Sequence, residues 1–188
     1  GKKNFIFVGM GGSINIVKVL KSVLSRSSQN QVFTLDSFDP KALSNILPHI
    51  SLKETLVVVI TKSVGTPESE KLSHDLREIW QQQGLNYIDH QLWLVDLPNL
   101  EKLKENPMDW SDLKVIPIQA DRGIDIGGRF TAPHTLIFFI PLFVLLGEDI
   151  SRVKILYDEY IANIGRLQQR AADEAHHLYR EENPYFAV

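Results

Sequence analysis

The sequence predicts an α/β fold, a doubly wound, mainly parallel five-stranded sheet with helices on both faces. Three observations carry this. Runs such as Phe5-Ile6-Phe7-Val8 and Leu56-Val57-Val58-Val59-Ile60 are apolar without alternation, as in strands buried on both faces. Both give way to a turn rich in glycine or hydroxyls, then to apolar residues at helical spacing. The order strand, helix, strand, helix repeats along the chain, which favours parallel pairing.

Taken in order, the first strand ends at Gly9, and Ile16, Leu20, Val23 and Leu24 then follow at helical spacing, with Lys18, Lys21 and Arg26 opposite. Residues 31–35 read as a second strand. Asp39-Pro40 starts the next helix, because the carboxylate caps free N–H groups and a first-turn proline lacks an N–H that would be orphaned anyway. Leu56 to Ile60 is the clearest strand, being β-branched and fully apolar. It runs into Thr61-Lys62-Ser63-Val64-Gly65-Thr66-Pro67-Glu68, where Thr66 can cap, Pro67 takes the first helical position and Glu68 complements the dipole. That helix carries Leu72, Leu76, Ile79 and Trp80 and stops at Gly84. Residues 92–97 and 114–118 are two further strands, and helices are expected over 131–147 and 149–181.

At 188 residues, 44% apolar and 23% charged, the chain is expected to form one domain. A chain of this size can hide roughly 70% of the surface its unfolded form exposes. There is no cysteine, which excludes disulfides, thiolate metal sites, iron–sulfur clusters and a cysteine nucleophile. A net charge of −3 and a pI near 6.1 argue against a nucleic-acid or acidic-membrane partner. The opening Gly1-Lys2-Lys3 reads as a cut edge or tag remnant, with too short an apolar run behind it for a signal peptide. The run from Leu136 to Leu146 is about half a bilayer span and contains Pro141, so it reads as a buried helix. The cytoplasm is the expected compartment.

In such a sheet ligands sit beyond the carboxyl ends of the strands, at the switch point. The loop Gly9-Met10-Gly11-Gly12-Ser13 leaves the first strand; its glycines let backbone N–H groups approach an anion, and Ser13 adds a donor. Ile14 stands where a dinucleotide fingerprint wants a third glycine, and no P-loop lysine follows. The loop Thr61-Lys62-Ser63-Val64-Gly65-Thr66 leaves the third strand with three hydroxyls in six residues, which suits a phosphate monoester. A third motif, Gly127-Gly128-Arg129-Phe130-Thr131, sets a permanent cation beside a flexible backbone. Each also has a plainer reading: a tight turn, a strand end with an N-cap, and a glycine hinge with a surface arginine.

These motifs, in this order, resemble the first sugar isomerase (SIS) domain of the glucose-6-phosphate isomerase family. That family has a Gly-x-Gly-Gly-Ser loop, a Ser-Lys-Ser/Thr-x-x-Thr-x-Glu-Thr phosphate loop and a Gly-Gly-Arg-Phe/Tyr-Ser motif. They are matched here by residues 9–13, 61–69 and 128–131, with threonine replacing serine at Thr61 and Thr131. Asn183-Pro184 is similar to an Asn-Pro that follows this region in bacterial members. The resemblance implies aldose–ketose isomerisation between glucose 6-phosphate and fructose 6-phosphate. It gives phosphate binding to Gly12, Ser13, Thr61, Lys62, Ser63 and Thr66, substrate contact to Gly128, and enediolate stabilisation to Arg129.

The family's proton-shuttling glutamate, ring-opening histidine and late lysine lie beyond this region and have no counterpart in the 188 residues. Residues 1–188 are therefore expected to be a single SIS domain, the N-terminal lobe of a two-lobed isomerase, inactive alone. The alternative is a stand-alone, non-catalytic SIS module that senses a phosphosugar. No cofactor and no metal are expected. The partner is a small-molecule sugar phosphate, and a homodimer covering the apolar second-last helix is expected. His134 reads as a locally bonded helix-start residue, Glu68 as a cap, and His176-His177 with Glu174 as a solvated face.

Overall fold

The computed structural model describes residues 1–24, 28–61, 67–96, 99, 113–119 and 135–180, with side chains as far as 177. They form two compact units, Gly1–Asp149 and Ile150–Val188.

The first unit is built on five parallel strands, β1 (Asn4–Gly9), β2 (Gln31–Leu35), β3 (Thr55–Thr61), β4 (Gln91–Val95) and β5 (Val115–Pro117), in the order β2-β1-β3-β4-β5. Every pairing is parallel. From β1 the chain moves outward to β2, then returns to the other side of β1 for β3, so the switch point lies between β1 and β3. Gly9 pairs with Ile60, and Thr61 with Val95, which brings the carboxyl ends of β1, β3 and β4 into line.

Strand alternation divides the core. Ile6, Val8, Val57, Val59, Trp93 and Val95 share one face with Leu72, Leu76 and Trp80 of α3 (Pro67–Gln82) and Ile46 of α2 (Pro40–Ile46). Phe5, Phe7, Val58, Ile60 and Leu94, also buried, alternate to the opposite face. Gly9 is in phase with them and lies against Ile14 of α1 (Gly12–Leu24), and α1 packs in turn on α4 (Leu136–Leu145). The expected helices on both faces are thus present.

Local chemistry explains the boundaries. Asp39 accepts from the Lys41 N–H and caps α2, with Pro40 in the first turn. At the end of α3, Gly84 has φ of 67°, and the Leu85 N–H reaches back to the Trp80 carbonyl. Thr135 caps α4 by accepting from the Ile137 N–H. Pro141 interrupts the helical ladder of α4, yet the helix persists because Ile137, Pro141, Leu142, Val144 and Leu145 are all buried.

Four expectations change. On α1 the buried stripe is Ile14, Val17 and Leu20, whereas Val23 is 71% exposed and Ile16 only half-buried. Apolar residues occupy two stripes of this helix, and packing buries the one that contains Ile14 and Val17. The strand expected over 92–97 spans Gln91–Val95, and the one expected over 114–118 is three residues long. The helix expected from 131 is described from Leu136, where the Thr135 cap begins it; 131–134 lie outside the described residues. Ile137, Pro141, Leu142, Val144 and Leu145 of α4 are buried in the folded chain, and its Leu136, Phe138, Phe139, Ile140 and Phe143 are half-buried.

The described residues of the second unit form a single amphipathic helix, α5 (Ile150–Arg180), close to the expected span.

Candidate functional site

The two loops singled out at the carboxyl edge leave neighbouring strands. Gly9, the last residue of β1, is buried against β3, and a Cβ there would stand 3.1 Å from the Ile60 carbonyl oxygen. Glycine is what lets β1 and β3 close to this separation at the switch point. Gly11 has φ of 57°, a left-handed conformation that turns the chain from strand into helix. Gly12 opens α1 and Ser13 lies in its first turn, both half-buried.

The first turn of α1 contains no acidic side chain, so the partial positive charge of its N-terminus is not offset from within the helix. By contrast, Glu68 and Glu70 occupy the first turn of α3. An anion arriving at this edge is therefore better received by α1 than by α3.

Thr61 ends β3 and is only 4% exposed, directly opposite Val95 of β4. Lys62, Ser63 and Thr66, Gly128 and Arg129, and also Thr131 and His134, lie outside the described residues. The structure thus brings Gly12, Ser13 and Thr61 to one edge of the sheet.

Asp96, which no motif marked, follows β4 at the same edge. It is 5% exposed, and its Oδ1 has no hydrogen-bond partner. A charged residue directly after an apolar strand was the only sequence signal available for it. A second polar group, at the amino edge, joins His90 to Thr55 and Lys2. The His90 Nδ1 is 2.9 Å from the Thr55 carbonyl oxygen and 2.7 Å from Lys2 Nζ. Burial holds the Lys2 ammonium below its ordinary pKa, with Asp89 opposing the shift.

Between α3 and β4, Gln91 Nε2 donates to Ser73 Oγ at 2.6 Å. Burial pushes the Tyr87 phenol well above its ordinary pKa, so the hydroxyl stays protonated. Among the described residues, His74, Asp75 and Glu78 on α3 gather potential ligand atoms within 4.8 Å of one another. Asp75 is already paired with Lys71 at 2.5 Å, and His74 and Glu78 are exposed. His176 and His177 are exposed on α5, as the sequence reading has them.

No protein-family model matches the chain. It is 30% identical over 145 residues to the glucose-6-phosphate isomerase of Desulfitobacterium hafniense, covering 67% of this chain and 27% of the relative. It is 30% identical over 154 residues to the glucose-6-phosphate isomerase of Methanocaldococcus jannaschii, covering 81% of this chain and 35% of the relative. A crystal structure of a glucose-6-phosphate isomerase from Chlamydia trachomatis superposes with a TM-score of 0.63 at 26% identity, over 76% of this chain and 26% of that one. A hypothetical protein, TT0462 from Thermus thermophilus, shares the fold with a TM-score of 0.60 at 23% identity, over 77% of this chain and 33% of that one. The chain spans between about a quarter and a third of the length of these relatives.

Proposed function

From distant homology to the glucose-6-phosphate isomerases over much of the chain, we propose that residues 1–188 are the sugar-phosphate-binding, N-terminal lobe of such an enzyme. One observation carries the reading. β1 and β3 are adjacent and parallel at the switch point, so the glycine–serine loop and the hydroxyl loop leave the same edge of the sheet. Gly12, Ser13, Thr61, Lys62, Ser63 and Thr66 would receive the phosphate, whose terminal oxygens want several donors from one side. Gly128 would let the substrate approach the backbone. Arg129 would stabilise the enediolate formed between glucose 6-phosphate and fructose 6-phosphate, a developing anion that a preorganised cation favours.

The residues that the resemblance assigns to proton transfer have no counterpart here, so the chain by itself binds and does not turn over. No cofactor or metal enters this reading, and a cytoplasmic homodimer is proposed with it. No helix among the described residues is long and apolar enough to cross a membrane.

Thermal denaturation with millimolar glucose 6-phosphate tests the binding. A ligand confined to the folded state stabilises it by RT ln(1 + [L]/Kd), so even a weak site is readable. The melting temperature is expected to rise with glucose 6-phosphate, and the rise to shrink in Ser13→Ala, Ser63→Ala and Thr66→Ala. Melting indifferent to the ligand would remove the phosphate site.

A further inference from the structure

We propose that Asp96 is the hydroxyl acceptor of this site, the group that holds the sugar part of a sugar phosphate rather than its phosphate. The inference rests on the reading above and deepens it.

Asp96 is 5% exposed, and Oδ1 meets no donor. Among the described residues, buried side-chain atoms of Trp80 and Gln91 also lack a hydrogen-bond partner, and both are neutral. Asp96 alone in that group carries an ionisable carboxyl, for which an unmet hydrogen bond is most costly. Folded proteins leave such groups unpaired chiefly where something else completes them.

Its position says what that something is. Val95 pairs with Thr61 of β3 on one side and Pro117 of β5 on the other, and its carbonyl accepts from the Ile118 N–H. Asp96 is the next residue, at the carboxyl edge beside the end of β3. It stands one strand spacing, about 5 Å, from β3 and two from β1. With its phosphate between β1 and β3, a sugar phosphate would reach Asp96 by extending its sugar over β3 toward β4.

The chemistry agrees. An ionised carboxylate only accepts hydrogen bonds and repels a phosphate, so its partner at this edge is a neutral donor. Sugar hydroxyls are such donors, and a hydrogen bond to a charged acceptor is among the stronger ones available to them.

The test is titration of the wild type, Asp96→Asn and Asp96→Ala with glucose 6-phosphate and, separately, with inorganic phosphate, alongside melting of each ligand-free protein. Both variants are expected to lose about tenfold or more in affinity for glucose 6-phosphate. They are expected to keep their affinity for inorganic phosphate. Ligand-free Asp96→Asn should melt no lower than the wild type, since the buried Oδ1 that it alters meets no donor in the ligand-free fold.

Equal loss of both ligands, or a variant that melts well below the wild type, would mean that Asp96 is a structural residue. Unchanged affinity for both would overturn the acceptor role and leave the phosphate site standing. A wild type that binds neither ligand would overturn the phosphate site and Asp96's role with it.

Discussion

Gly9 shows how one missing side chain holds the switch point together. A methyl group there would press to 3.1 Å on the Ile60 carbonyl oxygen, a backbone atom that cannot swing aside. Gly9→Ala is expected to destabilise the protein by about 1–3 kcal/mol in urea unfolding, since overpacking must be relieved by strand displacement. An unchanged midpoint would show that β1 and β3 are free to separate there. Lys3 and Glu54, 2.7 Å apart, illustrate a weaker device. The hydrogen bond and charge of Lys3 hold Glu54 below its ordinary pKa of 4.5, and both side chains are exposed. A folded-state pKa below the unfolded one contributes stability above the unfolded value, and that contribution is lost as pH falls through the folded value. The melting-temperature gap between wild type and Lys3→Ala should therefore be present at neutral pH, close in acid below 4.5, and shrink in high salt. A gap that persists in acid would mean that Lys3 acts through something other than Glu54.

The helices differ in how far their own sequences determine how they pack. On α3 a single apolar stripe exists, and Leu72, Leu76 and Trp80 are buried as its spacing predicts. Leu76 is completely buried between α3 and the sheet, so Leu76→Ala is expected to cost about 2–5 kcal/mol by chemical denaturation. On α1 there are two stripes, and spacing alone cannot choose between Ile14, Val17, Leu20 and a set that includes Ile16 and Val23. The choice is made by packing in the folded chain, which buries Ile14, Val17 and Leu20. At the ends of helices the short-range rules suffice. Asp39→Ala, which removes the cap of α2, should cost about 1 kcal/mol, read as a lower urea midpoint with an unchanged slope.

For the whole molecule, the strand order has the largest consequence. The order β2-β1-β3-β4-β5 makes neighbours of β1 and β3, the two strands from which the singled-out loops depart, and neither loop would be persuasive alone. Binding without turnover is the expected behaviour. A coupled assay for conversion of fructose 6-phosphate should read blank with this chain alone, and activity abolished by Arg129→Ala would show that the chain carries a proton-transfer group of its own.

Most of the architecture was legible because its causes are local. Unbroken apolar runs mark strands covered on both faces, and Asp39-Pro40 and Gly84 punctuate helices through hydrogen bonds made within a few residues. The position of Gly12, Ser13 and Thr61 at the carboxyl edge was legible for the same reason, since each follows or ends a strand that its own apolar run marks. Asp96 was not, because an aspartate after a strand means nothing until its exposure and its partners are known, and both depend on residues distant in sequence. The sequence by itself determined the parallel α/β class and the two loops that could hold a phosphate. Only the tertiary structure decided which stripe of α1 is buried and that Asp96 lies buried at the same edge with Oδ1 unpartnered, because burial and hydrogen-bond satisfaction belong to the packed whole.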